Sequence, residues 1–369
     1  MKEKKGIIRI ILLVILIVIC AGLYAINFNS KKQGLIVTEW DNIYDENNIN
    51  IFYENIEENS KDNELNKLNN TYKITEIVNA EQNEIDKILK TTEILNTIVE
   101  FDDIEDSGLN SGYEILMDLN GRKKVSDRDM AIIERDLILS AGYTSRIGEL
   151  RKNNPQFEIK PSYYVVEYYS PESNKWIMID FKEKAYLKNS EGYLNTIDFI
   201  NANKESITYN GKRDLNTYYK EIKKYLSSYT IPIDNTLTML KSNSYLTYCS
   251  NDKDVDLKKN NVFIGPTIFT KNKDVMNIEP NHEYVEGKDE KAYLILQKRQ
   301  DDVKDDYTYT IGAFKDGTTI NDYYLGINGD INKITDKYKE IKLQKGINTI
   351  ELSLDGNEIV SKVIINRQK

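Results

Sequence analysis

Apolar residues recur at helical spacing in three stretches of the chain, 85–98, 130–141 and 215–226. Spacings of three and four residues place such side chains on one face of a helix, which can then pack against a core. Gly142 directly follows the second stretch and is placed to end that helix in the left-handed conformation. A shorter helix is predicted over 111–121, so we expect this part of the chain to be rich in helices.

The first of these helices is preceded by a capping pattern. Asn79 lies before the apolar stripe, and Gln82 follows three residues later, which is the spacing of a capping box. Just before it, "TYKITEIV" (71–78) alternates between polar and apolar residues, a pattern typical of a strand. We therefore expect a strand that leads directly into a helix.

Strand patterns follow the second helix. "YTSRIGEL" (143–150) predicts the start of a strand, and "SYYVVEYYS" (162–170) and "KWIMIDF" (175–181) predict two more, joined by a turn at "PESN". Helices followed by antiparallel strands are typical of an α+β fold.

From about residue 255 the pattern changes to short strands with turn signals between them. The stretches are "AYLILQ", "YTYTIGAF", "YKEIKL", "NTIELSL" and "IVSKVII", and "DGNE" joins the last two as a hairpin turn. Several short strands at this spacing predict an all-β, immunoglobulin-like sandwich over 256–369.

The N-terminus has the pattern of a membrane anchor. Residues 10–28 are uncharged and almost wholly apolar. About 20 such residues span a bilayer as a helix, whereas the core of a cleavable signal is usually about 7–15 residues long. We therefore expect a single uncleaved transmembrane helix, and cleavage near Gly22 or Ala25 is the alternative.

The flanking charges predict the orientation of that helix. Four basic residues precede it and two follow it closely: Lys2, Lys4, Lys5 and Arg9, then Lys31 and Lys32. Because basic residues are retained on the cytoplasmic side, residues 1–9 should form a cytoplasmic tail in a single-pass protein of the cell membrane. The bulk of the chain should be extracytoplasmic.

The predicted extracytoplasmic part is strongly acidic. The first 32 residues contain six of the 50 Lys and Arg residues and one of the 59 Asp and Glu residues, which leaves 44 basic and 58 acidic residues, a net charge of −14. This charge excludes nucleic acid as the main partner. We divide this part into a spacer (29–70), an α+β domain (71–205), a helical connector packed on its core (206–255) and the β-sandwich (256–369).

The reactive residues are few. The chain has two cysteines, of which Cys20 lies in the predicted anchor, so Cys249 has no partner for an intrachain disulfide outside the membrane. His282 is the one histidine. Neither Cys249 nor His282 lies in a helix-start or strand motif, and we interpret them as a buried thiol and a loop histidine rather than as a catalytic pair.

Four segments between residues 70 and 200 resemble the transglutaminase-like superfamily, whose core is of the papain-like cysteine-protease type. They are "DRDMA" (127–131), "AGYTSR" (141–146), "YYVVEYY" (163–169) and "WIMID" (176–180). They are similar in order and spacing to the family's cysteine helix, the exit of that helix, the histidine strand and the aspartate strand. The combination is more specific than any one segment.

The resemblance implies a degenerate catalytic triad. In the family, a cysteine thiolate at a helix N-terminus is activated by a histidine that an aspartate orients. The cysteine position falls on Asp127 and the histidine position on Tyr163, whereas the aspartate is present as Asp180. Two of the three groups are therefore replaced, and we expect a pseudoenzyme rather than an enzyme.

Two of these positions allow more than one interpretation. Asp127 can accept backbone N–H groups at the start of its helix, or it can form a carboxylate pair with Asp180 in which Tyr163 donates a proton. Asp180 can instead be a strand-end acid that pairs with Arg128 or Arg146.

The strand after the helix predicts a residual groove. Alternation places Tyr163, Glu167 and Tyr169 on the face where the family has its cleft. With Asp127 and Trp176 they form the predicted binding set, since tyrosines suit contact with a peptide or glycan. Ordinary half-buried strand aromatics are the alternative.

These observations predict an anchored extracytoplasmic pseudoenzyme that binds a surface protein, peptide or cell-wall component. The alternatives are a remodelled hydrolase or lyase that uses Asp127, Asp180 and Tyr163, and a purely structural surface protein. No cofactor and no metal site is expected. The run "QDDVKDD" (300–306) has four acids but lacks the full pattern of a calcium loop, and we interpret it as a solvated loop.

Overall fold

The structure is a computed structural model. A wide mixed sheet forms its centre. The residues described are 35–45, 50–56, 63–152, 162–250, 266–283, 287–298 and 307–368. Across the sheet the strands are β10 (Gly192–Tyr193), β9 (Ala185–Asn189), β8 (Lys175–Asp180), β7 (Ser162–Ser170), β6 (Ser145–Arg151), β12 (Ser228–Pro232), β14 (Tyr245–Cys249), β15 (Thr267–Thr270) and β2 (Ile43–Tyr44), with β11 (Thr208–Asn210) also paired to β9. The neighbours from β10 to β14 are antiparallel, and β14, β15 and β2 run parallel.

Helices cover one face of this sheet. They are α1 (Glu64–Tyr72), α2 (Ile74–Val78), α3 (Glu84–Ile98), α4 (Gly112–Asp118) and α5 (Asp127–Ser140). The central helix, α5, is buried at every residue from Asp129 to Leu139, because helices surround it on one side and the sheet lies on the other. Its Ile133 and Leu137 share a core with Val166 and Tyr168 of β7.

The second face of the sheet is covered as well. This layer contains α6 (Thr196–Asn201), α7 (Leu215–Ile222), the 3₁₀ turns Lys204–Ser206, Lys223–Tyr225 and Lys273–Asn277, and the short pair β3 (Phe52–Tyr53) and β13 (Asp234–Asn235). Its core joins Val165 and Trp176 of the sheet to Tyr53, Tyr218 and Met276. Both faces of β7 are therefore buried along most of its length.

Two further antiparallel sheets enclose a third core. One contains β1 (Leu35–Asp41), β23 (Ile359–Arg367), β22 (Gly346–Ser353), β19 (Tyr323–Ile327) and β20 (Asp330–Ile334). In the other, β17 (Thr308–Lys315) pairs with β16 (Tyr293–Lys298), β18 (Thr318–Ile320) and β21 (Tyr338–Lys342). Separately, β4 (Glu100–Phe101) pairs parallel with β5 (Lys124–Val125), which lies just before α5. Leu294 and Ile311 of the second sheet share the third core with Leu325, Ile350 and Val363 of the first.

The predicted spacer and the predicted connector each contribute a strand to a sheet that is formed largely by other parts of the chain. Within the predicted spacer (29–70), β1 pairs antiparallel with the C-terminal strand β23. Within the predicted connector (206–255), β12 pairs with both β6 and β14 and so continues the central sheet. The partners of these strands lie far away in sequence, and local polarity patterns do not reveal them.

The structure contradicts two local predictions, the strand over 71–78 and the helix cap at Asn79. The stretch 71–78 is not a strand but the end of α1 and all of α2, with Lys73 between them at φ 56°. Ile74 and Val78 are buried in the helical layer, so packing overrides their strand preference. The next helix begins at Glu84, with Asn83 rather than Asn79 in the capping position.

The predicted anchor and the acidic run are not tested by the structure. Residues 10–28 and 300–306 lie outside the described residues. No helix in the described part of the chain is long and apolar enough to cross a bilayer.

Candidate functional site

Asp127, Tyr163 and Asp180, the three positions that the sequence resemblance assigns to a triad, lie at one end of the central sheet. Antiparallel pairing of β7 and β8 brings the beginning of β7, with Tyr163, beside the end of β8, with Asp180. The Tyr163 hydroxyl donates to Asp180 Oδ2 over 2.7 Å. Asp127, the first residue of α5, reaches the same place through Lys182, which follows β8.

Lys182 connects Asp127 to the tyrosine. Its Nζ lies 3.2 Å from Asp127 Oδ2 and 3.6 Å from the centroid of the Tyr163 ring. An ammonium group over an aromatic face is attracted by the ring's electrons, and the attraction is stronger where water is partly excluded. The Lys182 side chain is only 15% exposed. Its ammonium group therefore occupies the space between Asp127 and Tyr163.

Asp127 does not cap its helix. The Ser126 hydroxyl accepts the backbone N–H of Asp129 over 3.1 Å and is the capping group of α5. In the described part of the chain Asp127 Oδ1 is buried without a hydrogen-bond partner. The interpretation of Asp127 as the group that accepts backbone N–H bonds is therefore wrong, and its one ion pair in this region is with Lys182.

Asp180 is held by short-range contacts and not by an arginine. Its side chain is fully buried, and Oδ1 accepts the backbone N–H of Glu183 over 3.2 Å. Burial raises the pKa of Asp180, although the charge of Lys182 and the Tyr163 hydrogen bond act in the opposite direction. The arginine partners expected from the sequence are wrong, because Arg128 donates to the carbonyl of Leu109 and Arg146 pairs elsewhere.

A second layer of side chains closes Asp180 from the side of α7. The buried Tyr218 ring stacks on Tyr209, with 4.4 Å between centroids. Arg213 forms ion pairs with Glu183 over 2.8 Å and with Glu221 over 2.6 Å. These residues connect α7 to the turn after β8, so the sheet end is enclosed by the chain's own side chains.

The environment of Tyr163 determines its chemistry. Burial and the nearby Asp180 charge raise the pKa of Tyr163 well above its ordinary value of 10. The hydroxyl is therefore protonated at neutral pH and is a weaker acid than a free tyrosine. A group that gives up its proton so reluctantly is poorly suited to general acid or base catalysis near pH 7.

Glu167 lies in the interior and not in an open groove. Its carboxylate forms a salt bridge of 2.6 Å with Arg146, and both side chains are at most 1% exposed. It also accepts the Tyr229 hydroxyl and the backbone N–H of Thr196, each over 2.7 Å. Burial opposes its ionisation, but Arg146 and these hydrogen bonds hold the pKa of Glu167 below its ordinary value.

Trp176 is buried beside this salt bridge. Its indole N–H donates to the carbonyl of Ile278 over 2.9 Å, and the Arg146 guanidinium lies 4.0 Å from its ring centroid. Glu167 and Trp176 of the predicted binding set are therefore both buried, because the layer around residues 50–56 and 271–278 covers their face of the sheet. Tyr169 is half-buried, packs on Trp176 and donates to Asn174 over 2.8 Å.

Two residues of the enclosed site, Lys182 and Tyr218, were not identified as site residues from the sequence. Lys182 stands two positions after Asp180, and Tyr218 lies on a helix in the segment we assigned to the connector. A basic residue just after the aspartate strand was a usable signal, because a turn can bring it back over the strand end.

Cys249 and His282 occupy different environments. The Cys249 thiol is fully buried in the core of the two outer sheets and donates to the carbonyl of Thr270 over 3.7 Å. His282 is exposed in the loop that follows residue 279.

Within the described ranges, no group of three or more His, Cys, Asp or Glu side chains could hold a metal ion.

Comparisons with known proteins add little to this geometry. No family model matches the sequence, and no curated protein matches it significantly. A solved structure described as a "Putative Cysteine Protease from Cytophaga hutchinsonii" matches with 17% identity and a TM-score of 0.26. The match covers 40% of this chain and 47% of the other, so it spans less than half of that protein. A likeness at this TM-score carries no argument about the fold or the activity.

Replacing Tyr163 with phenylalanine should destabilise the protein by about 1–3 kcal/mol, because Asp180 Oδ2 would be left buried without its donor. Chemical denaturation of the full chain measures the change. Tyr169→Phe is the matched control, since that hydroxyl bonds to the exposed Asn174 and should cost less than about 0.5 kcal/mol. Equal effects of the two substitutions would contradict a buried Tyr163–Asp180 contact.

Proposed function

We propose that this protein is a membrane-anchored, extracytoplasmic pseudoenzyme of the transglutaminase-like type, which binds a surface protein, peptide or cell-wall component without turning it over. One observation carries the proposal. The Lys182 ammonium is ion-paired to Asp127 and stacked on Tyr163, so the place of the former reaction centre is filled. A bound substrate would have to displace this partly buried contact to reach it.

The chemistry of the three positions supports the absence of turnover. The Asp127 carboxylate is paired with Lys182, which lowers its reactivity as a nucleophile. Tyr163 is a weak acid, and Asp180 is fully buried behind it. Acid–base catalysis needs an accessible group that exchanges its proton readily near neutral pH, and neither Tyr163 nor Asp180 meets this need.

The fold assignment is part of the same proposal. A helix that begins at Asp127 and packs on the antiparallel strands β6, β7 and β8 supports a papain-like core. The two antiparallel sheets that share a core support an immunoglobulin-like sandwich. The apolar run 10–28 and the charge of −14 that follows residue 32 support an anchored protein with an acidic exterior.

Turnover assays on the full chain test the proposal. Three activities are measured: ammonia release from a glutamine peptide with an added amine, peptide cleavage, and formation of new reducing ends from peptidoglycan. We expect the rate of each in the native chain to be no higher than in the Asp127→Asn variant. Turnover that Asp127→Asn abolishes, while the unfolding transition is unchanged, would show a remodelled hydrolase or lyase instead.

Restoring the two missing groups tests the residue assignments. In the double variant Asp127→Cys with Tyr163→His, the new thiol should react with iodoacetamide at pH 6 on the order of tenfold faster than in Asp127→Cys alone, because an adjacent imidazole lowers a thiol's pKa. Mass spectrometry of the alkylated peptide that spans position 127 separates this signal from the buried Cys249. No acceleration would mean that the two positions do not correspond to a cysteine–histidine pair.

A further inference from the structure

A cavity of about 810 Å³ opens at the other end of α5, away from Asp127. Its lining includes Asn55, Ile56, Thr144, Asn281, His282 and Glu283. Helix α5 has 14 residues, which at 1.5 Å per residue separates its two ends by about 20 Å. The cavity is therefore distinct from the enclosed site around Lys182, and its volume is within the usual range of small-ligand sites.

The loop that forms one wall of the cavity is held in place by its own hydrogen bonds. Asn281 donates from its amide to the carbonyl of Glu283 over 2.6 Å and accepts the Glu283 N–H over 3.0 Å. The carbonyl of Asn281 accepts the Tyr53 N–H over 3.2 Å, which ties the loop to β3. Such a wall is organised before any ligand binds, which reduces the entropy lost on binding.

Three polar side chains of the lining are available to a ligand. Within the described residues, the side chains of Thr144, His282 and Glu283 form no hydrogen bond or ion pair. They present a hydroxyl, an imidazole and a carboxylate to the cavity, and Ile56 adds an apolar contact. A polar set of this kind, combined with an apolar wall, fixes the orientation of a ligand.

The charge around the cavity is negative. No lysine or arginine is among its lining residues in the described part of the chain. Among the described lining residues, Glu283 is the one with a charged side chain. The Arg146 charge is neutralised by Glu167 within the interior. A cation is therefore favoured at this site, and an anion is repelled.

We propose that this cavity is a binding site for a basic peptide segment, in which the Glu283 carboxylate pairs with a lysine or arginine side chain. The Thr144 hydroxyl and the His282 imidazole then bond to the peptide backbone, and Ile56 contacts its apolar atoms. The described lining residues include no tyrosine, tryptophan or phenylalanine on which a sugar could stack, which favours a peptide over a glycan. This site goes beyond the proposed function, since it is independent of whether the Lys182 region has activity.

Titration calorimetry of the full chain in detergent tests the proposal. The probes are acetyl-Gly-Lys-Gly-Lys-Gly-amide, the same peptide with glutamine in place of lysine, and chitotriose as a neutral glycan. We expect binding of the lysine peptide alone, and about tenfold weaker binding to the Glu283→Gln variant, since a charge-assisted hydrogen bond is lost. Thr144→Arg, which places a competing cation in the cavity, should abolish binding.

Glu358→Gln is the matched control, because Glu358 is an exposed acid that lines another surface cavity. It removes the same charge and should leave the affinity for the lysine peptide unchanged. Equal losses in Glu283→Gln and Glu358→Gln, or no binding of the lysine peptide, would overturn the proposal. Binding of chitotriose that depends on Glu283 would overturn it in favour of a glycan. The turnover assays measure activity and not peptide affinity, so a failure of the pseudoenzyme proposal can be distinguished from a failure of this binding proposal.

Discussion

Replacing Glu167 with alanine is expected to lower the free energy of unfolding by about 3–5 kcal/mol, the usual cost of breaking a buried ion pair. The loss leaves the Arg146 guanidinium, only 1% exposed, without its counter-charge. It also removes the acceptor for the Tyr229 hydroxyl and the Thr196 N–H. Arg146 further donates to the carbonyl of Met276, so the change should loosen the layer that covers the sheet.

Urea denaturation of the full chain, followed by tryptophan fluorescence, measures this effect, because Trp176 lies against Arg146. Glu39→Ala is the control. Glu39 pairs with Lys362 over 2.6 Å, but its side chain is 46% exposed, and such surface pairs contribute about 0–1 kcal/mol. If Glu167→Ala were as mild as Glu39→Ala, Glu167 would have to be an accessible groove residue after all.

Replacing Glu134 with glutamine is expected to stabilise the protein at alkaline pH by about 3 kcal/mol. Glu134 is fully buried on α5, and burial raises its pKa from 4.5 to about 7, although the Thr91 and Thr92 hydroxyls that bond to it oppose the shift. Between pH 4.5 and 7 the folded state keeps a proton that the unfolded state has released. Stability therefore falls as pH rises through this window, by about 1.4 kcal/mol for each pH unit at most.

The difference in unfolding free energy between Glu134→Gln and the native chain is the quantity to measure, because all other titrating groups cancel in it. It should be near zero at pH 4.5 and reach its full value above pH 7. Glu191→Gln is the control for the loss of one carboxyl group, since Glu191 is exposed in a turn. A pH-independent difference for Glu134→Gln would mean that this carboxyl titrates normally in the folded state.

These two carboxyl groups are buried on opposite sides of the central sheet. Glu134 lies between helices α3 and α5, where Thr91 and Thr92 bond to it, and Glu167 lies under the layer that contains Met276. Both faces of the sheet are therefore interior, and no open groove runs along β7 in the described structure. A ligand would bind at the surface cavities near the ends of the elements, as at Glu283.

The local pattern of the sequence determined the helices and strands that carry the site. The helix predicted over 130–141 lies in α5 apart from its last residue, which follows the helix end at Ser140, and the prediction for β7 agrees with the structure at both ends. Such elements are predictable because apolar spacing and Gly142 act within a few residues of each other. The assignment of Asp127 and Tyr163 to the positions of a lost cysteine and histidine rests on the sequence resemblance and stays a prediction.

Only the tertiary structure decided what covers those elements. The alternation in β7 places Glu167 correctly on the face opposite Tyr168, but it does not show that residues 50–56 and 271–278 bury that face. Likewise, β1 joins β23 across more than 300 residues, and Lys182 folds back onto Asp127 through a turn. Periodicity reports which side of an element is apolar, whereas burial and charge pairing depend on partners that are distant in sequence.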